Sequence, residues 1–416
     1  MSILRVLCLT LCCLPFATSP NFTWAQRSQV SPTLPSSRLL NRYGLQRNWW
    51  SHATLNPKRD KVRHLVIDEE NLYVQASSGV VSAFNNESGR RLWAIQLGQQ
   101  DGPSYPLVSN EEFALIVVGL NLYAVNKSTG ELIWEISLPT QPSTSPGVDN
   151  LRVYIGSLDG SVYAYDLQKI HDLYDENRLP QSSREALVWR YKTARTITTP
   201  PISTGLVVNF ASQDHSLYSV TAERREQKFQ FQTDAPVSAP IAESDGFLYM
   251  ASEDFNLYCL NSNNGVLRWD PFISGLPIRK TPVIVNAHVF LSPDRGGLYC
   301  LSANTGKSIW WQPKGTEFLA ATPERVFMSD RLGNVVILDR ADGTSLGALP
   351  LRNFSHRLVN DRTDRLYLVT SSGLIVCIRE QDREFPLYHK FPDHRPIMPL
   401  FAPEADSESP PVPPEQ

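Results

Sequence analysis

Residues 122–134 read LYAVNKSTGELIW, and the same frame returns as VSAFNNESGRRLW at 81–93, LYCLNSNNGVLRW at 257–269 and LYCLSANTGKSIW at 298–310. Weaker copies start at Val162, Leu217, Val335 and Ile375, with Phe229, Gly347 and Leu387 where a tryptophan is expected in three of them. The eight starts, at 81, 122, 162, 217, 257, 298, 335 and 375, are spaced by 41, 40, 55, 40, 41, 37 and 40 residues. A period near 40 suits one four-stranded propeller blade per repeat. Helical repeats of similar period compete. Runs such as Arg152-Val153-Tyr154-Ile155 and Val162-Tyr163-Ala164-Tyr165, divided by turns such as Leu158-Asp159-Gly160, favour strands. The fold predicted is all-β, an eight-bladed β-propeller of four-stranded antiparallel blades over residues 44–392.

Each repeat position has a physical task. An Asn or Asp followed four residues later by Gly, as in Asn126 to Gly130, marks a tight hairpin in which glycine supplies the positive φ of a G1 bulge. Gly89, Gly130, Gly265 and Gly306 hold this place. Four residues on, a tryptophan opens the outer strand, where its ring covers the next blade's turn. Trp93, Trp134, Trp189, Trp269 and Trp310 are therefore read as docking residues between blades. Cys259, Cys300 and Cys377 fall in the slot held elsewhere by Ala83, Ala124, Ala164 and Ser219, which identifies them as small apolar fillers. Tyr105-Pro106, Ser145-Pro146, Thr199-Pro200, Ala239-Pro240 and Thr281-Pro282 mark innermost strands, whose limited pairing tolerates proline. The stretch GLQRNWWSHATL at 44–55 resembles an outer strand with no blade ahead of it. It is expected to pair with the last blade and close the ring, with Trp49 or Trp50 in the tryptophan role.

Outside the repeat, Arg5, the apolar run Val6 to Ala17 and Thr23-Trp24-Ala25 read as a secretory signal over residues 1–25. The run is short for a membrane span, and bulky Leu11 before Cys12 disfavours lipidation. Residues 26–43 are expected to be linker. An insertion at 168–187 in blade 3 accounts for the spacing of 55. Ile170, Leu173 and Tyr174 share a face if it is a short helix ended by Pro180, and it reads as a partner-docking loop or as tolerated decoration. Residues 403–416 are acidic and Pro-rich, the composition of a disordered tail. A net charge of −3 makes no case for nucleic acid or for direct membrane association.

The pattern Ala124-x-Asn126-x-x-Thr129-Gly130-x-x-x-Trp134 resembles the tryptophan-docking repeat of PQQ-like (quinoprotein-type) propellers, the family that includes PQQ-dependent dehydrogenases and the outer-membrane assembly factor BamB. The resemblance covers nearly the whole mature chain and implies an eight-bladed disc with a funnel. A quinoprotein dehydrogenase implies a longer chain, an adjacent Cys pair and calcium-binding carboxylates. The only adjacent cysteines, Cys12 and Cys13, lie in the signal, and no EF-hand-like loop, H-E-x-x-H, G-x-S-x-G, P-loop or C-x-x-C occurs. The sequence thus points away from an enzyme, with no catalytic, cofactor or metal residues assigned. The resemblance implies an exported monomeric scaffold for protein partners, such as the outer-membrane assembly machinery, in the periplasm or at the periplasmic face of the outer membrane. Secretion is the alternative location. A cofactor-dependent enzyme or a small-ligand sensor using the channel is the alternative function.

Arg63, His64, Arg195, Arg279, Lys280, His356 and Arg357 fall at or near the starts of innermost strands in several blades. They read as a basic funnel for an anionic ligand or acidic peptide, or as ordinary polar lining of a wet channel. His52, His171, His215 and His288 read as turn or surface residues. Equivalent slots on neighbouring blades lie too far apart for a disulfide. The denatured mature protein should therefore titrate three free thiols with a thiol reagent, and a lower count would refute this reading of the cysteines.

Overall fold

The computed structural model describes residues 34–390, apart from 57 and 180–182. The signal, the 403–416 tail and Pro180 lie outside the described residues. Those described form eight four-stranded sheets, each antiparallel in every pairing, and seven of the eight follow chain order from the innermost strand outward. Blade 2 is typical, with strands Val108–Ser109, Phe113–Val118, Asn121–Asn126 and Leu132–Ser137. Its second strand is buried along its whole length, because it is covered by a blade on each face. The outer strand alternates, with Trp134 and Ile136 buried and Glu135 exposed.

The eighth sheet breaks chain order. Its outer strand is Leu45–His52, which pairs antiparallel with Leu374–Glu380 from Leu45 opposite Glu380 to His52 opposite Leu374. The N-terminal strand therefore completes the last blade, as the orphan segment at 44–55 predicts, and no blade keeps a half-formed edge. Trp49 takes the docking role, buried with its Nε1 donating to the Asn86 carbonyl at 2.8 Å, while Trp50 is half exposed. Ion pairs reinforce this seam. Arg365, fully buried, lies 3.2 Å from Glu87 of blade 1, and Arg362 pairs with Glu69.

Docking works as one device repeated around the ring. Trp93, Trp189, Trp269 and Trp310 donate through Nε1 to the carbonyls of Lys127, Ala222, Ala303 and Arg340, each in the next blade's outer turn, at 2.7–3.2 Å. A ring fits there because the turn offers a glycine. Trp49, Trp93, Trp269 and Trp310 lie against Gly89, Gly130, Gly306 and Gly343, where any Cβ would strike the indole, and Phe229 performs the task on Gly265. In blade 4 the same turn position is Arg225, at φ 64° without glycine's freedom. A second seal runs nearer the opposite face, where Tyr191, Phe231 and Phe272 meet Tyr218, Tyr258 and Tyr299 of the following blade at 5.2–5.7 Å between ring centres.

Two sites depart from the expected pattern. Trp134 is buried, but its indole N–H has no acceptor among the described residues. The turn it would cap in blade 3 is replaced by helix α1 of the insertion, Leu167–Asp175, whose Leu167, Ile170 and Leu173 pack in the same cluster as Trp134. The insertion thus supplies an apolar pad in place of a carbonyl. Tyr174, expected on that face, is 45% exposed, and the helix ends at Asp175, ahead of Pro180. In blade 7, where Gly347 replaces the tryptophan, the Tyr43 ring occupies the space a side chain at 347 would need. Tyr43 lies in the stretch expected to be linker. There a short helical turn at Ser37–Asn41 buries Leu40 completely, and Leu34, Leu39 and Tyr43 pack against the cluster shared by blades 7 and 8.

Cys259, Cys300 and Cys377 are free and buried in third strands, with Cys300 directly opposite Trp310 and Cys377 directly opposite Trp49. Burial pushes the Cys259 thiol up to about 11 and that of Cys300 to about 12. His288, read as a turn or surface residue, directly follows the turn between the first two strands of blade 6, where it is half buried and contacts the buried Arg340 guanidinium at 3.2 Å. Removing the ring of Tyr43 (Tyr43→Ala) should lower stability by about 2 kcal/mol, whereas Tyr174→Ala should change it by under about 0.5 kcal/mol. Chemical denaturation of both variants checks this, and equal effects would contradict the role given to Tyr43.

Candidate partner-binding face

Strand order fixes what each end of the disc carries. Innermost strands start, second strands turn into third strands, and outer strands hand over to the next blade all at one end, here called the linker face. The two hairpin turns of each blade, innermost to second and third to outer, lie at the other end. Arg63 and His64 start blade 1, Arg195 lies between blades 3 and 4, Arg279 and Lys280 lie between blades 5 and 6, and His356 and Arg357 start blade 8. All seven predicted contact residues therefore belong to the linker face.

Most of these cations are matched by anions or carbonyls. Arg63 lies 3.7 Å from Asp101 and hydrogen-bonds to Gly102, and Lys280 pairs with Glu317 at 2.8 Å. Arg279 bridges Glu253, at 2.8 Å, and Asp294. Arg357 donates to the Gly333 carbonyl at 2.6 Å, and burial pulls its guanidinium below the ordinary value. Burial likewise lowers His64 and His356, which favours their neutral form. These pairs offset much of the positive charge that sequence position alone assigns to the funnel mouth. Arg195 differs, because its exposed side chain makes no hydrogen bond or ion pair among the described residues.

A feature that sequence position did not single out lies beside these charges. The second-to-third-strand turns and linkers of this face expose Leu120 (48%), Leu158 (53%), Phe255 (41%), Leu276 (40%) and Leu332 (66%). Leu158 and Arg195 are neighbours, since the Thr196 hydroxyl donates to the Leu158 carbonyl at 2.8 Å. The available signal was a leucine or phenylalanine in a tight turn that normally favours polar residues, as in Leu158-Asp159-Gly160. Asp159 rigidifies this spot. It accepts from Ser157 at 2.5 Å and from the Ser161 amide and hydroxyl at 2.9 and 3.0 Å, and it pairs with Arg190 and Lys192. Burial pushes its carboxyl up, but these hydrogen bonds and the Lys192 charge outweigh that and hold it at about 2.

Among the described residues, no group of three or more His, Cys, Asp or Glu is placed to hold a metal ion. A cleft of about 760 Å³ is lined by inner and outer turn residues of blades 6 and 7, including His288, Glu324, Asp339 and Arg340. The buried Arg340 there is held by the Thr322 and Val285 carbonyls, at 2.9 and 3.2 Å, and by His288.

A closed eight-bladed ring whose loops present paired charges and exposed apolar side chains is a β-propeller of the interaction-scaffold class. Matches to the family model described as outer membrane protein assembly factor BamB cover residues 77–183, 176–346 and 274–382, and the chain belongs to that family. The chain is 21% identical over 360 residues to the outer membrane protein assembly factor BamB of Bordetella pertussis, covering 70% of this chain and 87% of that protein. It is 20% identical over 401 residues to the BamB of Moranella endobia, covering 91% of each. The crystal structure of BamB from Moraxella catarrhalis superposes with a TM-score of 0.62 at 16% identity, covering 82% of this chain and 98% of that one. A computationally designed protein, Ika8, superposes with a TM-score of 0.61 at 12% identity, covering 77% and 96%. At such identities the structural likeness establishes the fold alone.

The depressed Asp159 carboxyl carries a pH signature. Its folded value lies below the unfolded one, so its contribution is present above about pH 4 and is lost as pH falls through about 2. Asp159→Asn should cost about 1 kcal/mol at pH 7, after discounting for solvent screening. The difference from the parent should vanish in urea titrations near pH 2. A difference independent of pH would refute this.

Proposed function

We propose that this chain is a noncatalytic scaffold that captures protein partners of outer-membrane protein assembly through its linker face, as a monomer on the periplasmic side. Family membership supports the process, since the relatives are named as outer membrane protein assembly factors. The N-terminal signal reading of residues 1–25 supports export. The observation that carries the choice of face is that exposed Leu158 and exposed Arg195 lie on adjacent loops joined by the Thr196 hydrogen bond, flanked by exposed Leu120 on the preceding blade and Phe255 two blades on.

The physical argument rests on what such side chains gain in an interface. An apolar side chain held up by a rigid turn loses little conformational entropy on docking, and burying it recovers the cost of its exposure. An arginine without an internal partner can make charge-assisted hydrogen bonds to a carboxylate or carbonyl without first breaking one. The paired cations Arg63, Arg279 and Lys280 contribute orientation and encounter rate more than affinity. His64, His356 and Arg357, half buried behind them, hold the channel mouth in shape.

Affinity capture of the tagged mature chain from its host's cell envelope tests this reading. The parent should retain a component of the outer-membrane assembly machinery, and Leu158→Asp combined with Arg195→Glu should reduce its recovery at least about tenfold. Retention of the same component by the double variant would refute the linker face as the site. Recovery of a bound chromophore or metal without a protein would refute the scaffold reading itself.

A further inference from the structure

The rim of blades 6, 7 and 8 differs from the rest of the circumference. Three stretches build it: residues 307–314 (KSIWWQPK), 344–352 (TSLGALPLR) and 37–52 (SRLLNRYGLQRNWWSH). Each contains the outer strand of one blade, Ser308–Gln312, Ser345–Leu349 and Leu45–His52. Together they hold Arg38, Arg42, Arg47, Lys307, Lys314 and Arg352 and no Asp or Glu, in a chain whose net charge is −3. All but Arg47 are exposed, and none of the six forms an ion pair among the described residues. The outer strands of blades 2, 3 and 4 carry Glu135 on blade 2, Arg190 and Lys192 on blade 3, both paired with Asp159, and Lys228 on blade 4, and none of the three exposes a tryptophan.

Between these cations stand exposed apolar side chains, Trp50 at 51%, Trp311 at 52%, Ile309 at 45% and Leu346 at 49%. Trp311 is held in place rather than mobile. Its Nε1 donates to the Gly296 carbonyl at 2.8 Å, and its ring stacks on Tyr299 with centroids 5.8 Å apart, which leaves the opposite ring face free. Trp50 packs edge-on against His52 at 6.0 Å. In register, Trp50 and Trp311 each follow the docking tryptophan of their blade by one residue, so both point away from the core at the same height on the disc.

We propose that the rim of blades 6–8 is a peripheral binding surface for an anionic phospholipid bilayer. Exposed cations that form no ion pair match a negatively charged headgroup layer, and fixed indoles with aliphatic neighbours match the boundary between headgroup and acyl chain. A compact protein groove would meet only part of a surface that spreads over three blades. Lys314 and Arg352 border the linker face at blades 6 to 8, away from Leu158 and Arg195 of blades 3 and 4, so the inference does not rest on the partner assigned to those two residues.

Co-sedimentation of the mature chain with vesicles of phosphatidylcholine, with and without phosphatidylglycerol, tests it. The parent should sediment with the anionic vesicles and not with pure phosphatidylcholine, and binding should fall steeply as salt rises. Arg38→Gln, Lys307→Gln and Lys314→Gln together should weaken binding by about 100-fold. Trp50→Ser with Trp311→Ser should weaken it by about tenfold with the β-sheet circular dichroism spectrum retained, while brominated lipid should quench the parent's tryptophan emission. Failure of the parent to bind anionic vesicles, or equal binding by both variants, would overturn the proposal. A lipid-free dimer that the tryptophan variant dissociates would overturn it too, by assigning the rim to a second copy of the chain.

Discussion

The contact on which this ring depends is an aromatic ring laid flat on a glycine of the neighbouring blade's turn. A twisted four-stranded blade buries little on its own, so stability comes from the faces that adjacent blades share. Docking makes each such face self-locating, because the ring must sit where a Cβ is missing and where a carbonyl meets its N–H. Each blade thereby sets the position of the next, and eight joints, five of them an aromatic ring on a turn glycine, return to the start. The last step is made by Trp49, from the opposite end of the chain to the strand it pairs with, so closure ties sequence-distant segments into one cooperative unit.

The departures from the rule show what the rule is for. Where blade 3 lacks the glycine turn, a helix delivers Leu167, Ile170 and Leu173 to Trp134, and one indole N–H is left without an acceptor. Where blade 7 lacks the tryptophan, Tyr43 arrives from a segment with no counterpart in the repeat. Volume is conserved at both joints although the hydrogen bond is not. This is consistent with packing being the larger share of the docking energy and the hydrogen bond chiefly fixing orientation. The same economy explains why the 168–187 insertion is part of the core along one face rather than surface decoration throughout.

Once the blades are fixed, the surfaces divide by geometry. One end of the disc gathers linkers and carries mixed, internally compensated charge punctuated by exposed leucines. The circumference gathers the outer strands, where blades 2 to 4 carry Glu135, Arg190, Lys192 and Lys228 and blades 6 and 8 expose Trp311 and Trp50. A net charge of −3 averages these regions and hides both. No clustering of ionisable groups suited to metal chemistry accompanies them among the described residues, and the buried cations Arg340 and Arg365 serve joints between blades.

What the sequence determined by itself was everything carried by local, repeated chemistry: eight blades, the turn glycines, the tryptophans, the small-residue slot of the cysteines and the orphan strand at 44–55. These are legible because each repeat restates the same short-range rule, so eight weak signals reinforce one another. Tertiary structure alone decided which side chains meet across blades. It brought Tyr43 to Gly347, gave Arg279 and Lys280 their carboxylate partners while leaving Arg195 without one, seated Leu158 beside Arg195, and aligned Trp50 with Trp311. The physical reason is that a blade's neighbours are set by ring closure, so pairings between residues tens to hundreds of positions apart leave no periodic trace in the chain.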